Sequence, residues 1–318
     1  MKLLLDIVLL LVGFVLLIKG ADFFVDGASS LAKKLRVPSL IVGLTIVAMG
    51  TSAPELAVSV SSAIKGSNAL AVSNVIGSNL FNLLIVLGVC SAIKPTNVAE
   101  AVIKRDYPIS LAAAVLFVVF IFDGKISRIE GGILLVCLIA YIIFSIMAAK
   151  SQITDEEPPA DFKAWKCALF ILGGAAGIVI GGDLVVDHAQ NIALMAGMSE
   201  TLVGLTICAV GTSLPELVTS LTAAKKGEND MAVGNVVGSN LFNILGILGV
   251  SGLISPIDLS ASISDSMIDG FILLGATILV FICCITGRKI SRIQGGIMAG
   301  TYVIYMAYAI MRNYGMIG

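Results

Sequence analysis

Long apolar runs alternate with short polar segments along the whole chain. The runs reach about 20 residues, the length that a helix needs to cross the hydrocarbon core of a bilayer. Of the 318 residues, 58% are hydrophobic and 13% are charged, and this charged share is roughly half that of an average soluble domain. The pattern therefore predicts an all-α polytopic membrane protein. Its ten predicted transmembrane helices are residues 3–25, 38–64, 69–92, 107–122, 129–149, 165–186, 199–224, 230–253, 267–286 and 293–312.

The chain divides into two similar halves. When it is shifted by 161 positions, residues 44–89 align with residues 205–250, and 29 of these 46 positions are identical. A second match is KISRIEGG at 125–132 with KISRIQGG at 289–296. The segment 150–164 between the halves carries charges and two prolines without apolar periodicity, which indicates a linker. We predict two five-helix repeats, at 1–149 and 165–318, whose most similar parts are about 38–92 and 199–253.

The odd number of spans in each half determines how the halves are related. After five crossings the second copy starts on the opposite side, so the halves are inverted relative to each other. Of the 20 Lys and Arg residues, 14 fall in loops on one side, 5 on the other, and Lys19 lies within the first span. Because basic loops stay in the cytoplasm, we predict a plasma-membrane protein with both termini outside and a cytoplasmic 150–164 linker. The first run lacks a small-residue cleavage site, so we expect it to remain as a span.

Each half carries a glutamate inside an apolar run. The segments are AMGTSAPEL at 48–56 and AVGTSLPEL at 209–217, with Glu55 and Glu216 at equivalent positions. An ionisable group at the centre of a membrane costs a few kcal/mol or more. Inverted repeats with a polar break in each half are typical of transporters whose binding site lies near the midplane. We therefore interpret both glutamates as functional.

A purely structural interpretation of the same segments is also available. Gly50 and Pro54 interrupt regular helix. Ser52, followed three residues later by Glu55, has the spacing of a capping box, with proline in the first turn. A cap alone, however, could be made by serine without a carboxylate in the membrane.

The following span of each half contains the motif NVIGSNLFN or NVVGSNLFN. Ser78 and Asn82 lie four residues apart and so share a helix face, as do Ser239 and Asn243. We favour a ligand role for these four residues over hydrogen bonding between helices. Both interpretations stay open for the remaining asparagines of the motif, Asn74, Asn79, Asn235 and Asn240.

The candidate groups are all hard oxygen donors. They comprise two carboxylates, amide and hydroxyl oxygens, and carbonyls expected to be freed at the breaks, residues 48–51 and 209–212. Sulfur and imidazole are absent from this set, which suits Ca²⁺ or Na⁺ rather than zinc or copper. Two carboxylates balance one Ca²⁺, so an occupied site would be close to neutral.

These motifs resemble those of the Ca²⁺/cation antiporter superfamily, in particular the prokaryotic Na⁺/Ca²⁺ exchangers. The resemblance covers nearly the whole chain and is carried by GTSAPE with NVIGSNLFN and by GTSLPE with NVVGSNLFN. It implies ten helices in two inverted repeats, with broken helices at an ion site formed by spans 2, 3, 7 and 8. It implies ligands at Thr51, Ser52, Glu55, Ser78 and Asn82, at Thr212, Ser213, Glu216, Ser239 and Asn243, and at the carbonyls of Ala48 and Ala209.

The resemblance also implies that spans 1 and 6 slide across this core. Their glycines fit a smooth sliding face, although close packing explains them equally well. The chain departs from the family at Asn243, where some members, including a K⁺-requiring branch, have aspartate, so K⁺ co-transport is not expected. Ser73 replaces a glycine that Gly234 retains. The glycines in question are Gly13, Gly20, Gly173, Gly174, Gly177, Gly181 and Gly182.

We expect a secondary antiporter, not an enzyme, that takes Na⁺ in and moves Ca²⁺ out electrogenically by alternating access. The alternative is Ca²⁺/H⁺ exchange with Glu55 and Glu216 as proton carriers. A passive channel would more naturally use a symmetric oligomeric pore. An intramembrane hydrolase would need a nucleophile with a base or an aspartate pair, and the predicted spans offer no His or Asp at mid-membrane. No cofactor and no nucleic-acid partner is expected; the chain should function as a monomer in the lipid bilayer.

Overall fold

The computed structural model describes residues 2–150, 162–198, 207 and 209–316. Within them, eight helices are long and apolar enough to span a membrane, and a bent pair makes a ninth span. The first half contains α1 (Lys2–Leu35), α2 (Ser39–Thr51 and Ala53–Ile64), α3 (Asn68–Ile93), α4 (Val102–Asp123) and α5 (Arg128–Ala148). The second half contains α6 (Ala164–Met195), α8 (Asn229–Ile254), α9 (Ile263–Ile285) and α10 (Arg292–Arg312). The predicted span 199–224 lies partly outside the described residues; its described segments, Ala209–Gly211 and Leu214–Lys225, form α7.

Helices α1 and α6 extend well beyond the spans predicted for them. They have 34 and 32 residues and run to Leu35 and Met195, whereas the apolar runs end at residues 25 and 186. Hydropathy marks the part of a helix that lies in lipid, but a helix ends where its backbone conformation changes. For α1 this happens at Arg36, which has a φ of 55°, two residues before Pro38.

The helix α2 is broken as the sequence predicts. Its two segments meet at Ser52 at an angle of 50°, and Pro54 lies in the first turn of the second segment. Wider π-helical turns interrupt the helices nearby, at Gly43–Val47 in α2, Asn82–Val86 in α3 and Phe242–Ile247 in α8. Such turns are rare and occur frequently at functional sites.

Short antiparallel ribbons join loops from opposite halves. Strand β1 (Thr96–Asn97) pairs with β4 (Lys289–Ile290), and β2 (Lys125–Ile126) pairs with β3 (Ile257–Asp258). The ends of α3 and α9 therefore share one side, and the ends of α4 and α8 share the other. Because the third helix of one half meets the fourth helix of the other, the two five-helix repeats are inverted.

The KISRI repeat has a structural role at the start of α5 and α10. Its Lys and Ile form the short strands, and the following Ser291 caps α10 in a full capping box with Gln294. The glycine after the box lets the helix approach a neighbour closely, since a Cβ on Gly131 would lie 2.7 Å from the Leu253 nitrogen. At the equivalent Gly295 it would lie 2.5 Å from the Gly88 carbonyl oxygen.

Glycines of α1 and α6 pack these two helices against each other. A Cβ on Gly20 would lie 2.8 Å from the carbonyl oxygen of Gly174, and one on Gly13 would lie 3.0 Å from that of Gly181. Gly177 faces Gly20, whereas Gly182 faces Pro215 of α7, and a Cβ on Gly173 would meet no described atom within 4 Å. Close packing between α1 and α6 therefore accounts for most of these glycines, and a sliding face toward the core fits only Gly182.

Candidate ion-binding site

Two glutamates lie at the centre of the molecule and are completely buried. Glu55 and Glu216 are each 0% exposed and occupy the first turn of the helical segment that follows the break. The two carboxylates are neighbours, because the serine that precedes each glutamate's helical segment hydrogen-bonds to the other glutamate. Since a buried charge is stable only when it is paired or hydrogen-bonded, the surroundings of these two groups decide what the site can hold.

Each carboxylate receives a hydroxyl from the opposite half. Ser52 Oγ donates to Glu216 Oε1 at 2.7 Å, and Ser213 Oγ donates to Glu55 Oε1 at 3.1 Å. The capping-box interpretation of Ser52 with Glu55 is therefore wrong, because Ser52 makes no side-chain cap to its own helix. The serine that follows one break instead holds the carboxylate beside the other break.

The third and eighth helices add donors and acceptors around these carboxylates. Ser239 Oγ lies 3.4 Å from Glu216 Oε1, while Ser78 faces the Glu55 carboxylate without a hydrogen bond of normal geometry. Asn82 lies at the start of the π-helical turn in α3, and Asn243 lies within the turn in α8. All four side chains are at most 1% exposed.

Several buried oxygens in this cluster have no hydrogen-bond partner among the residues that the structure describes. Buried polar groups in folded proteins are almost always paired, so unpaired ones need an explanation. Leaving such a group unpaired typically costs about 1–3 kcal/mol, and a bound cation would remove that cost at each oxygen that it contacts. The oxygens are Glu55 Oε2, Glu216 Oε2, Ser78 Oγ, Asn82 Oδ1, Asn243 Oδ1 and Thr212 Oγ1.

Two asparagines of the repeated motif brace the glutamate helices. Asn74 Nδ2 donates to the Glu55 carbonyl at 3.2 Å and to Ser59 Oγ at 2.8 Å. In the other half Asn235 Nδ2 lies 3.4 Å from the Glu216 carbonyl and 2.9 Å from its second acceptor, Ser220 Oγ. The structural alternative is confirmed for this pair, and sequence reasoning missed Ser59 and Ser220 as its partners.

The other two asparagines join the halves directly. Asn79 Nδ2 lies 3.4 Å from the Asn240 carbonyl, and Asn240 Nδ2 lies 3.3 Å from the Asn79 carbonyl. Asn79 Oδ1 also accepts from Asn243 Nδ2 at 2.9 Å. This bond fixes the amide of Asn243 with its nitrogen occupied, so that its oxygen remains free for an ion.

The remaining predicted ligands lie at or next to the two helix breaks. Thr51 is buried, and its hydroxyl donates to Asn235 Oδ1 at 3.2 Å; Thr212 is half-buried. The carbonyl of Ala48 is not freed by the break, because it accepts the Ser52 N–H at 3.0 Å. The carbonyl of Gly50 loses its helical donor instead, since Pro54 has no N–H. Ala209 begins the first described segment of α7, and its side chain lies outside the described residues.

The sequence profile of the family described as "Sodium/calcium exchanger protein" matches residues 5–147 and 166–311. The chain belongs to this family. Sodium/calcium exchanger MaX1 of Methanosarcina acetivorans is 34% identical over 344 residues, which cover 95% of this chain and 97% of the relative. Inner membrane protein YrbG of Escherichia coli is 36% identical over 312 residues, covering 94% and 95%.

Solved structures of the sodium-calcium exchanger NCX_Mj have the same fold. One, soaked with 10 mM Na⁺ and 10 mM Sr²⁺, superposes with a TM-score of 0.85 at 31% identity and covers 96% of this chain and 98% of that chain. Another, soaked without Na⁺ and Ca²⁺, gives a TM-score of 0.84 at the same identity, covering 96% and 99%. The family members are exchangers and not enzymes, so the buried carboxylates belong to a transporter.

Proposed function

We propose that this family member is an electrogenic Na⁺/Ca²⁺ antiporter that uses the Na⁺ gradient to extrude Ca²⁺ across the plasma membrane. The observation that carries the proposal is the set of unpaired oxygens around Glu55 and Glu216. Two carboxylates would neutralise one Ca²⁺, and the amide and hydroxyl oxygens would replace part of its hydration shell.

Exchange follows because both ions need the same oxygens. A Na⁺ ion near either carboxylate would take ligands that Ca²⁺ requires, so the two cargoes exclude each other. We assign the ion ligands to Glu55, Glu216, Asn82, Asn243, Ser52, Ser213, Ser78, Ser239, Thr51 and Thr212, with Na⁺ also reaching the carbonyls near Ala48 and Ala209. Outside termini and a cytoplasmic linker, proposed from the loop charges, would make Ca²⁺ leave toward the terminal side.

Na⁺ is favoured over H⁺ as the counter-ion by the number of oxygens. A proton would need only the two carboxylates, whereas the cluster has four further unpaired oxygens on Ser78, Asn82, Asn243 and Thr212. These neutral oxygens gain nothing from a proton on a carboxylate but can coordinate a metal ion. Asn243 supplies an amide where an acid would favour a further monovalent ion, so K⁺ dependence is not proposed.

Reconstituted liposomes test this proposal directly. Vesicles loaded with Na⁺ and diluted into Na⁺-free medium should take up Ca²⁺ in a saturable manner. Vesicles with only an outward H⁺ gradient should take up little. A membrane potential that is positive inside can then be imposed with K⁺ and valinomycin. It should speed Ca²⁺ uptake if the departing Na⁺ ions carry more charge than the entering Ca²⁺. It should slow Ca²⁺ uptake if the entering Ca²⁺ carries more charge than the departing Na⁺. Uptake driven by the H⁺ gradient alone would overturn the choice of Na⁺, and uptake without any counter-ion would indicate a channel.

A further inference from the structure

An ion-paired lysine ties the end of α7 to α1. Lys226 Nζ lies 2.7 Å from Asp26 Oδ1 and 3.6 Å from Asp22 Oδ1, and it donates to the Asp22 carbonyl at 2.9 Å. The lysine follows α7 directly, and the two aspartates lie one turn apart on α1. We call this group the closed triad, since it bridges the two halves on one side of the molecule.

The same three residue types recur at equivalent positions with no contact between them. A shift of 161 positions relates the closed triad to Lys65, which follows α2, and to Asp183 and Asp187 on α6. All three are exposed, and the Lys65 ammonium group makes no ion pair or hydrogen bond with the residues that the structure describes. We call this group the open triad.

The backbone does not explain the difference between the triads. Lys226 has φ and ψ of −77° and −1°, and Lys65 has −79° and −1°. Each is followed by a glycine in the left-handed region, Gly227 and Gly66. The two lysines therefore have the same backbone conformation, whereas the opposing helices contact them differently.

The surfaces next to the two triads also differ: the surface beside the closed triad is covered by the opposing helix, and the surface beside the open triad is exposed. Leu214 and Val218 of α7 pack against the apolar cluster that α1 contributes. Their counterparts on α2, Ala53 and Ala57, are exposed and line an apolar groove that ends at Lys65. Helix α6, which is the counterpart of α1, leaves this groove open.

We propose that the two triads are alternating latches of the transport cycle. In this structure the closed triad holds α1 over α7. In the opposite state α6 covers the groove of α2, and Lys65 pairs with Asp183 and Asp187. The inference rests on the proposed exchange by alternating access, and it assigns positioning roles to six charged residues outside the ion site.

Helix packing makes the two latches mutually exclusive. Helices α1 and α6 contact each other through backbone atoms at Gly20 with Gly174 and at Gly13 with Gly181, so they move as one unit. A displacement that carries α6 onto α2 therefore removes α1 from α7 and breaks the closed triad. Partly exposed ion pairs are weak, which suits latches that must open in every cycle.

Cysteine labelling distinguishes the two states. In a background without the native cysteines, Ala57→Cys reports the groove of α2 and Val218→Cys reports the matching surface of α7. Lys65→Glu should prevent the open triad from forming and favour the present state. The ratio of the Ala57→Cys labelling rate to the Val218→Cys labelling rate should then rise about two- to fivefold, the range expected for losing an exposed ion pair. Lys226→Glu should change this ratio in the opposite direction.

Two further variants separate a latch from a general disturbance. Adding Asp183→Lys and Asp187→Lys to Lys65→Glu restores opposite charges and should return both rates to the parent values. Lys65→Arg keeps the charge and should leave both rates unchanged. Reversals that change neither reporter, or a failure of the charge exchange to restore the rates, would overturn the latches.

The outcome is separable from that of the proposed function. Na⁺-driven Ca²⁺ uptake is measured on the same reconstituted variants. Normal uptake in the parent with unresponsive reporters would reject the latches alone. Absent uptake in the parent with responsive reporters would reject Na⁺/Ca²⁺ exchange while supporting the latches.

Discussion

Helices α3 and α8 have nearly the same sequence but different surroundings. A Cβ on Gly238 of α8 would lie 2.5 Å from the carbonyl oxygen of Leu44 in α2, whereas one on the equivalent Gly77 of α3 would meet nothing within 4 Å among the described residues, which do not include 199–206. Likewise Met231 is 0% exposed, and its counterpart Leu70 is 55% exposed. The repeat thus produces the same local structure twice, and the contacts between the halves make the surroundings of the two copies different. An inverted pair of repeats can exchange these two environments without changing either local structure.

The strongest test of the similarity between halves is the loss of either central charge. Glu55→Gln and Glu216→Gln each remove one of two charges that face a divalent ion. Removing one partner of a buried charge pair costs about 3–5 kcal/mol. At about 1.4 kcal/mol per tenfold change, Ca²⁺ affinity should fall on the order of 100-fold or more in both variants. Calorimetric Ca²⁺ titration of the purified proteins measures this.

A matched control is available for these variants. Glu130→Gln replaces an exposed glutamate with glutamine. Glutamine already occupies the equivalent position of the other half, Gln294, in the same kind of capping box. It should leave Ca²⁺ affinity unchanged. If Glu55→Gln bound Ca²⁺ as the parent does, the carboxylates would not be the ion ligands; a large effect in one half alone would show that the site is asymmetric.

The second test exchanges glycine for alanine in both helices. Gly238→Ala places a methyl group against backbone atoms of α2, and overpacking of this kind costs about 1–3 kcal/mol. Its thermal unfolding in detergent should occur at a lower temperature than that of the parent. Gly77→Ala meets no atom within 4 Å in the described part of the chain and gains helix propensity, so its stability should be unchanged or slightly higher.

Transport sharpens this glycine comparison. If α3 receives close packing in the opposite state, as α8 does here, the added methyl group of Gly77→Ala would obstruct that state. Na⁺-driven Ca²⁺ uptake should then be slower although the protein is stable. Full transport by Gly77→Ala would mean that the halves do not exchange their environments.

The sequence predicts the local structure of each half, but it does not predict the contacts between the halves. The apolar runs and the repeat predicted the ten spans and their inversion, and the polar breaks marked Glu55 and Glu216, which the structure shows to be buried. The partner of Ser52 was missed because a glutamate three residues later satisfies the local capping rule. In the structure the Ser52 hydroxyl instead hydrogen-bonds to the buried carboxylate of Glu216 in the other half. The π-helical turns left no pattern in the sequence, because the same apolar residues suit both helix types. The unequal packing of Gly77 and Gly238 could not be predicted from nearly identical motifs.

The smallest expected difference concerns the serines that face the two carboxylates. Ser239 Oγ lies 3.4 Å from Glu216, which also accepts from Ser52, whereas the Ser78 hydroxyl has no hydrogen-bond partner in the described part of the chain. Ser78→Ala would therefore remove only a ligand of the ion, and the protein without ions would lose an unpaired buried group. Ser239→Ala would remove a ligand and also a weak hydrogen bond that Glu216 keeps without the ion. Since a hydrogen bond to a charged group contributes about 1.5–3 kcal/mol at normal length, and this one is long, the difference should be small.

We expect Ca²⁺ affinity to fall a few-fold in both variants and ion-free stability to fall only in Ser239→Ala. Unfolding measured with and without Ca²⁺ separates the two effects, and equal losses of ion-free stability would mean that Ser78 is bonded to Glu55 in the ion-free protein.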